Sequence, residues 1–420
     1  MSDRLKFFRR LMSAFEGTSN PQRAVERGFY VNLPNNLVGE ITRRIELRPS
    51  SVHLLFGGIG SGKTTQLLLT EQALNELEDI KAFYIDVSVV TDISDLKSGA
   101  LIALAGLHLI QFLSLQNLSY NQFDNIDNTE IENSEQIIRK AAFGYTETKV
   151  IETSLTANLS SAISAMAAGS KSVTKHYKGL LSFEKDKSIE LILEAFSTLK
   201  QAVRNITNKE IVFLFDGLDR LSDSQTFIDS ALDDVFAIKN IGIGSVLVGS
   251  VVTVYAEKEN IASFDSSSYY MPYLDVFENT EAQKFFADVI TVRDSENSIN
   301  SEIRIFLVLK SGGVLRDLMS LCQAAIEEAY VDGSDQVTQE HANKAVLALA
   351  RSKLIGLTNS GLATLHKVMT EKSFSPRTAE DFELMLTGHI LEYRHPHQRF
   401  VVHPILAPVI EYMVAGVANG

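Results

Sequence analysis

A glycine-rich segment near the start of the chain carries the residues whose types and spacing best fit phosphate chemistry. An apolar run over residues 52–56 breaks into Gly57 and four further residues, and then into Gly62, Lys63 and Thr64. Glycines let the backbone turn its N–H groups toward an anion, the lysine brings a positive charge to the β and γ phosphates, and the threonine offers Mg²⁺ a hydroxyl ligand. The pattern predicts a chain that binds ATP or GTP.

The elements around this segment fit the same interpretation. β-branched and aromatic residues before it predict a strand. A helix is predicted to begin near Gly62 and to continue through residues 66–77, so that its N-terminal end favours an anion. We expect phosphate contacts from a continuous set of residues, namely Gly58, Ile59, Gly60, Ser61, Gly62, Lys63, Thr64 and Thr65.

A second apolar run ends in acidic residues. Residues 211–215 are all apolar, Asp216 follows them, and Asp219 comes three positions later. Such a run predicts a central parallel strand that delivers a carboxylate to Mg²⁺ at the C-terminal edge of a sheet. We therefore expect Asp216 to contact the metal together with Thr64.

Strand and helix patterns alternate through the first two thirds of the chain. Further strands are predicted at residues 81–87, 244–250 and 269–274, and the alternation indicates a three-layer α/β domain with a parallel sheet. Ser250 or Thr253, after the fourth strand, is a candidate hydroxyl contact for the γ phosphate. The alternative is a hydroxyl that is satisfied within the fold.

The composition limits the choice of partners. Of 420 residues, 45% are hydrophobic and 22% are charged, which is enough for two or three domains with cores of their own. A net charge of −13 argues against broad adhesion to nucleic acid, so any DNA contact must be local. The single cysteine, Cys322, excludes an internal disulfide, and the start of the chain has no cleavable signal pattern. We expect a cytoplasmic protein.

Two stretches test the expectation of a soluble chain. Residues 98–115 are 18 uncharged residues, long enough for a membrane span, but His108 and Gln111 favour a helix buried against the sheet or a partner. Residues 3–15 predict a basic amphipathic helix. It is either a docking helix with a solvated charged face or a contact for a membrane surface or a partner.

A large insertion is predicted at about residues 91–205, between the second strand and the strand before Asp216. This is far more chain than one crossover helix needs. Residues 116–136 are rich in asparagine and acids and favour a solvated loop, whereas residues 153–170 are rich in Ser and Ala. We expect the latter to be disordered or to order on assembly, and the insertion to contact the protein's particular partner.

The rest of the chain predicts a helical lid and then a winged helix. A break at Gly312 and Gly313 opens a helix in which Arg316 lies one turn from the start. There it can reach a nucleotide on the sheet edge or make a surface ion pair. In residues 351–420, helical periods precede two short strand patterns around a polar tip at residues 394–398, which is the order of a winged helix.

These motifs together resemble P-loop ATPases of the AAA+ and STAND type, in the branch with a helical lid and a C-terminal winged helix. The matching segments, in chain order, are GGIGSGKTT, FLFDGLDR, GSVLVGS, GGVLRDL and FVVHPIL. The resemblance implies ATP and Mg²⁺ as ligands, catalytic roles for Lys63 and Asp216, and a sensor role in the lid for Arg316. It also implies that Tyr30 and Val31, ahead of the first strand, cradle the adenine.

One position departs from the family pattern. AAA+ enzymes commonly have Glu directly after the metal-side Asp, where it orients the attacking water, whereas this chain has Gly217. STAND proteins are more similar, with an acid a few residues on, which points to Asp219 as the water-positioning residue. Arg220 could act as an arginine finger by analogy. Hydrolysis is then expected to be slow, with bound ATP acting mainly as a conformational signal.

The resemblance also implies domain boundaries. We expect an N-terminal arm, an ATPase domain that contains the insertion, a lid and a winged helix, at residues 1–30, 31–280, 281–350 and 351–420.

The leading functional hypothesis is an ATP-controlled switch or assembly scaffold that forms a homo-oligomer or binds a partner protein. A role in antiviral defence would suit a STAND-like ATPase by family analogy. The alternative is an initiator-type or transposition-type ATPase that grips duplex DNA with Arg394, His395, His397 and Arg399. Residues 351–420 hold seven Lys/Arg and six Asp/Glu, which is weak for a DNA grip, so protein contact leads. A small-molecule kinase is disfavoured, because the C-terminal half has no acceptor-pocket pattern.

Overall fold

The computed structural model describes residues 3–16, 21–34, 37–116, 128–143, 189–221, 223–263 and 266–418. The chain forms two compact units. The first, called the sheet unit, comprises Leu37–Phe56 and Gln66–Tyr269. The second, called the C-terminal unit, comprises Met1–Asn36, Gly57–Thr65 and Tyr270–Gly420. The segment predicted to order on assembly, residues 153–170, lies outside the described residues.

A five-stranded sheet with the order β2-β3-β4-β1-β5 organises the sheet unit. The strands are β1 (Val52–Gly57), β2 (Ile80–Asp86), β3 (Glu210–Asp216), β4 (Gly244–Ser250) and β5 (Ser267–Met271). β2 pairs in parallel with β3, and β3 in parallel with β4. β1 and β4 are buried along their whole length, because helices cover both faces of a parallel sheet and leave no position for a polar alternation. The predicted α/β class with a parallel sheet is confirmed.

Short connections and longer helices surround these strands. The helices of the sheet unit, with the one that starts in the phosphate loop, are Leu37–Leu47, Lys63–Asn75, Val87–Val90, Ala100–Leu115, Asn128–Phe143, Ile189–Thr207, Ser224–Thr226, Asp233–Asn240, Val251–Ala256 and Lys258–Ser263. A π-helical turn at Phe227–Leu232 joins two of them, and single 3₁₀ turns lie at Ile93–Asp95 and Leu218–Arg220.

Three helices form the described part of the predicted insertion. Ala100–Leu115, Asn128–Phe143 and Ile189–Thr207 pack against one another, and most of the first is buried, which confirms the expectation of a buried apolar helix. Within the described part of the chain, no helix is both long and apolar enough to cross a bilayer. The solvated loop expected over residues 116–136 is wrong for its second half. Residues from Asn128 onward are helical, because Ile131 and Ile138 supply an apolar stripe that the acidic composition concealed.

The C-terminal unit is mainly helical. Its helices are Asp3–Phe15, Pro21–Glu26, Thr280–Thr291, Ser301–Ser311, Leu315–Val331, Gln339–Leu354, Asn359–Glu371, Ala379–Leu386 and Ala407–Ala418. An antiparallel hairpin of β6 (Ile390–Tyr393) and β7 (Arg399–Val402) lies between the last two. Local residues define the helix starts, since Asn279, Asn300 and Thr378 each accept backbone N–H bonds at an N-cap.

The N-terminal helix docks on the core of the C-terminal unit. Phe8, Leu11 and Phe15 are buried in that core. The Arg4 guanidinium lies 4.8 Å from the ring centroids of both Phe8 and Tyr330, and it donates to carbonyl oxygens at the end of helix Leu315–Val331. Of the two readings of residues 3–15, the docking helix is therefore confirmed.

A buried carboxylate starts the apolar helix of the sheet unit. Asp234 is 2% exposed, and its two oxygens accept the N–H groups of Gly99 and Leu101 at 2.6 and 2.9 Å. These N–H groups open helix Ala100–Leu115 and have no intrahelical acceptor, so the aspartate satisfies them. Burial raises the pKa of Asp234 to about 7 in spite of these bonds.

The raised pKa predicts a pH-dependent stability. The pKa of Asp234 is higher in the folded than in the unfolded state. Its contribution to the free energy of unfolding is therefore complete below about pH 4 and is lost as the pH rises through 7. We expect Asp234→Asn to remove this decline. Between pH 4 and 8 the free energy of unfolding of the variant should then rise by a few kcal/mol relative to that of the wild type. Chemical denaturation at several pH values measures the difference. A difference that stays constant over this range would contradict the prediction.

Candidate functional site

The glycine-rich loop has the backbone geometry of a phosphate cradle. Gly60 and Gly62 adopt φ values of +85° and +102°, a left-handed conformation that disfavours other residues. The following helix begins at Lys63, so its first N–H groups are directed to the loop. The sequence prediction for this helix start is confirmed.

Gly57 and Gly58 are required for a different reason from the one predicted. Gly57 is the last residue of β1, and neither Gly57 nor Gly58 has the positive φ of Gly60 and Gly62. A Cβ at Gly57 would lie 2.4 Å from the carbonyl oxygen of Met271, and one at Gly58 would lie 2.3 Å from the Tyr273 ring. The close approach of these neighbours, rather than a left-handed backbone, excludes a side chain.

Lys63 is held inside the loop by carbonyl oxygens. Its side chain is buried, and its Nζ donates to the oxygens of Gly57 and Gly58 at 3.0 and 2.8 Å. A buried ammonium group is costly unless its protons are bonded, which these carbonyls achieve. Phosphate oxygens are stronger acceptors for an ammonium group than neutral carbonyls. The lysine is thus placed to exchange one set of acceptors for the other.

Ser61 supplies an independent test of whether the loop fits an anion. Its Oγ is buried and has no hydrogen-bond partner among the described residues. A buried hydroxyl without a partner costs free energy, and such groups are rare in folded proteins. An oxygen-rich ligand in the cradle would satisfy it, so the residues present fit a bound phosphate chain. Thr64 and Thr65, which follow, are half-buried.

Helix Leu315–Val331 rests on the loop within the C-terminal unit. The Arg316 N–H donates to the Gly60 carbonyl oxygen at 3.4 Å, and a Cβ at Gly60 would lie 2.9 Å from the Arg316 Cβ and 3.1 Å from Val314. The Tyr273 hydroxyl donates to the Ile59 carbonyl oxygen at 2.9 Å. The structure therefore brings Arg316 to the loop through its backbone, while its side chain is exposed.

The two residues predicted to cradle adenine belong to the same unit. Val31 packs against the core of the C-terminal unit, and Tyr30 is half-buried. The neighbouring carbonyl oxygen of Phe29 accepts a bond from Arg293 at 3.0 Å, which fixes this part of the chain. Their role toward adenine stays a prediction.

The acidic part of the site lies in the sheet unit. Asp216 is 3% exposed and ends β3, where its Oδ2 accepts from the Tyr84 hydroxyl at 2.8 Å and its Oδ1 from the Gly217 N–H at 2.7 Å. Burial, and then the charges of Asp216 and Asp86, raise the pKa of Tyr84 well above its usual value, so Tyr84 stays a donor. Asp219 is half-buried in the turn Leu218–Arg220.

Sequence reasoning missed Tyr84 and Asp86. Both belong to β2, and Asp86 is the residue paired with Asp216 in the β2–β3 register. The signal was present, since the strand predicted over residues 81–87 has an aspartate as its next-to-last residue. Ser250, by contrast, has its Oγ engaged by the Val252 N–H at 3.1 Å, so its hydroxyl is satisfied within the fold.

Residues 35–248 match the KAP family P-loop domain, which is 214 of the 420 residues. This match and the parallel sheet confirm the predicted P-loop ATPase resemblance. The winged helix has no such support and stays a prediction. No curated protein sequence matches the chain.

Several solved structures are similar over most of the chain. The Orc1 protein of Aeropyrum pernix, solved in complex with DNA, is 12% identical and covers 96% of this chain and 97% of its own, with a TM-score of 0.45. Cdc6p of Pyrobaculum aerophilum is 13% identical over 95% of this chain and 98% of its own, with a TM-score of 0.40. RuvB of Thermotoga maritima is 11% identical over 89% and 92%, with a TM-score of 0.37.

The Ser61 hydroxyl leads to a prediction that separates ligand binding from stability. We expect Ser61→Ala to leave the free protein equally or slightly more stable and to weaken ATP binding about 5-fold, because the ligand loses one hydrogen bond of about 1 kcal/mol. Thermal unfolding with and without ATP and Mg²⁺ measures both effects. Ser245→Ala is the matched control, since Ser245 in β4 also has a buried Oγ without a partner among the described residues. Equal effects of the two variants on ATP affinity would contradict the prediction.

Proposed function

The chain belongs to the KAP family of P-loop domains, and on that premise we propose that it binds ATP with Mg²⁺, hydrolyses it slowly and acts as a nucleotide-controlled switch. The residues that we assign to the phosphates are Gly58, Ile59, Gly60, Ser61, Gly62, Lys63, Thr64 and Thr65. We assign Thr64 and Asp216 to Mg²⁺. The bound ion would offset the negative charge of the phosphates.

One observation carries the switch proposal. The Gly60 carbonyl oxygen accepts the Arg316 N–H, and a side chain at Gly60 would have no room beside Val314 and Arg316, which supports coupled movement of the phosphate loop and helix Leu315–Val331. The same helix holds the N-terminal helix at its other end through Arg4. A change of loop conformation is thereby passed to the helical core of the C-terminal unit.

The nucleotide supplies the energy for such a change only through a difference in affinity. Phosphates in the loop would compete with the carbonyl oxygens of Gly57 and Gly58 for the Lys63 ammonium group. ATP and ADP differ in the phosphate that this lysine reaches, so they would stabilise different loop arrangements. A difference of a few kcal/mol between them is enough to shift a two-state equilibrium.

Slow turnover and self-association complete the proposal. Gly217 follows Asp216 and offers no carboxylate, which supports slow hydrolysis, and Asp219 is the acid that the family resemblance assigns to the water. We propose a lid at residues 281–350 that changes position with the nucleotide and a winged helix at residues 351–420. Together they would form the contact surface for a second copy or a partner protein in the cytoplasm. A role in antiviral defence rests on the STAND resemblance alone.

The hairpin arginines argue against the DNA-binding alternative. Arg394 donates to Glu392 at 2.8 Å and stacks 3.3 Å from the Tyr270 ring centroid. Arg399 donates to the buried Asp275 through Nε at 2.9 Å and through Nη2. Charges that are committed to buried carboxylates are poor ligands for a DNA backbone. Protein contact therefore remains the leading proposal.

A variant of the loop lysine tests the switch. We expect Lys63→Ala to lower ATP affinity at least about 100-fold and to abolish any ATP-dependent change in mass, because the charged contact to the phosphates is worth about 3 kcal/mol. Calorimetry and light scattering with and without ATP and Mg²⁺ measure the two effects. The wild type is expected to differ in mass between ATP and ADP, whereas Arg316→Ala should bind ATP but respond less. Equal masses of the wild type in both nucleotides would contradict the switch.

A second pair of variants tests the role of the hairpin arginines. We expect Arg399→Ala to destabilise the protein by about 3 kcal/mol, because it leaves the buried Asp275 carboxylate without a positive charge beside it. Arg394→Ala should cost less, since Gln398 still donates to Glu392. Arg377→Ala, on an exposed turn, is the control and should be neutral. Salt-dependent binding of labelled duplex DNA that these hairpin variants lose while folded would reverse the ranking of the two functions.

A further inference from the structure

Two neighbouring strands of the sheet end in aspartates that lie side by side. In the parallel β2–β3 register Asp86 pairs with Asp216, so both side chains leave the same face of the sheet at its C-terminal edge. β1 runs into the phosphate loop from this edge. The edge of a parallel sheet at the ends of its strands is where such folds bind their ligands.

The Asp86 carboxylate occupies the space that a residue after Asp216 would need. A Cβ at Gly217 would lie 2.7 Å from Asp86 Oδ1 and 2.8 Å from the Ser88 side chain. Gly217 also has a φ of +86°, which other residues rarely adopt. Asp86, Ser88 and the left-handed backbone therefore together disfavour an acid directly after Asp216, and the neighbouring strand supplies a carboxylate beside that position.

Both carboxylates are held in fixed orientations. Asp86 Oδ1 accepts from the Ser88 N–H at 3.1 Å and from the Ser88 hydroxyl at 2.7 Å. Asp216 accepts from Tyr84 and from Gly217. Asp86 is half-buried, while Asp216 is almost completely buried. A carboxylate that is oriented and still accessible is suited to hold a water molecule for reaction.

We propose that Asp86 is the catalytic base of ATP hydrolysis in this chain, an assignment that rests on the proposed function. The water oxygen forms a bond to the γ phosphorus, and the bond from that phosphorus to the oxygen shared with the β phosphate breaks. The electron pair of the broken bond stays on that oxygen, which leaves as part of ADP. The proton of the water passes to Asp86 and then to solvent, which restores the carboxylate.

A purely structural role for Asp86 has a matched control in the same unit. Asp86 is the N-cap of the short helix Val87–Val90, and Asp92 caps the turn Ile93–Asp95 in the same way. Asp92 accepts from the N–H and the hydroxyl of Ser94, at 3.1 and 2.6 Å. The two caps are alike, but only Asp86 ends a strand beside Asp216.

The experiment measures ATP affinity and single-turnover phosphate release separately for five full-length proteins: the wild type and the variants Asp86→Asn, Asp86→Ser, Asp92→Asn and Asp219→Asn. We expect Asp86→Asn, which keeps a capping oxygen, to bind ATP within about 3-fold of the wild type and to release phosphate at least about 100-fold more slowly. Asp92→Asn should match the wild type in both. Asp86→Ser serves as a second variant that also retains a cap.

The outcomes separate this assignment from the proposed function. Wild-type phosphate release by Asp86→Asn, or an equal loss in Asp92→Asn, would overturn the role of Asp86. A wild type that binds ATP but releases no phosphate would overturn it as well, while nucleotide binding would stand. Failure of the wild type to bind ATP at all would instead refute the proposed function. If Asp219→Asn alone loses turnover, the base is Asp219.

Discussion

The close packing of the phosphate-loop backbone is the constraint on which the rest of the molecule depends. Met271, Tyr273 and Arg316 lie so near to Gly57, Gly58 and Gly60, respectively, that no side chain fits at these three positions. The loop thus combines the flexibility needed to surround an anion with direct contact to the elements around it. Because no space separates the loop from these neighbours, any movement of the loop must be shared by them.

Several ionisable side chains of this protein are buried and bonded to specific partners. Lys63 is bonded to carbonyl oxygens, Asp234 opens a helix, and Arg399 neutralises a buried carboxylate. His403 and Lys353 both contact Asp317, one residue after the loop-contacting Arg316, at 3.0 and 3.1 Å. Burial lowers the pKa of His403. Each contact offsets part of the cost of removing a charge from water, and the contacts of Asp234, Arg399 and Asp317 also join segments that are distant in the chain.

The strand ends show how a parallel sheet assembles chemistry from separate segments. Asp86 and Asp216 are 130 positions apart in sequence but are paired in the register. The departure at Gly217 from the AAA+ pattern has a physical cause in this pairing, because the Asp86 carboxylate fills the space beside it. The large insertion lies between β2 and β3 in the sequence. It separates the two strands along the chain, but they are still neighbours in the sheet.

The sequence by itself determined the phosphate loop, the strand that ends in Asp216, the parallel α/β class and the helices near residues 3–15 and 98–115, because glycine spacing, apolar runs and helical periodicity are local signals. Tertiary structure alone decided which partners Asp86, Arg394 and Arg399 have, and it replaced the loop expected at residues 116–136 with a helix after Asn128. These depend on strand register and on packing between distant segments. Such contacts arise only when the chain is folded. The position of a charged residue or an apolar stripe in the sequence does not show which distant residue it will contact.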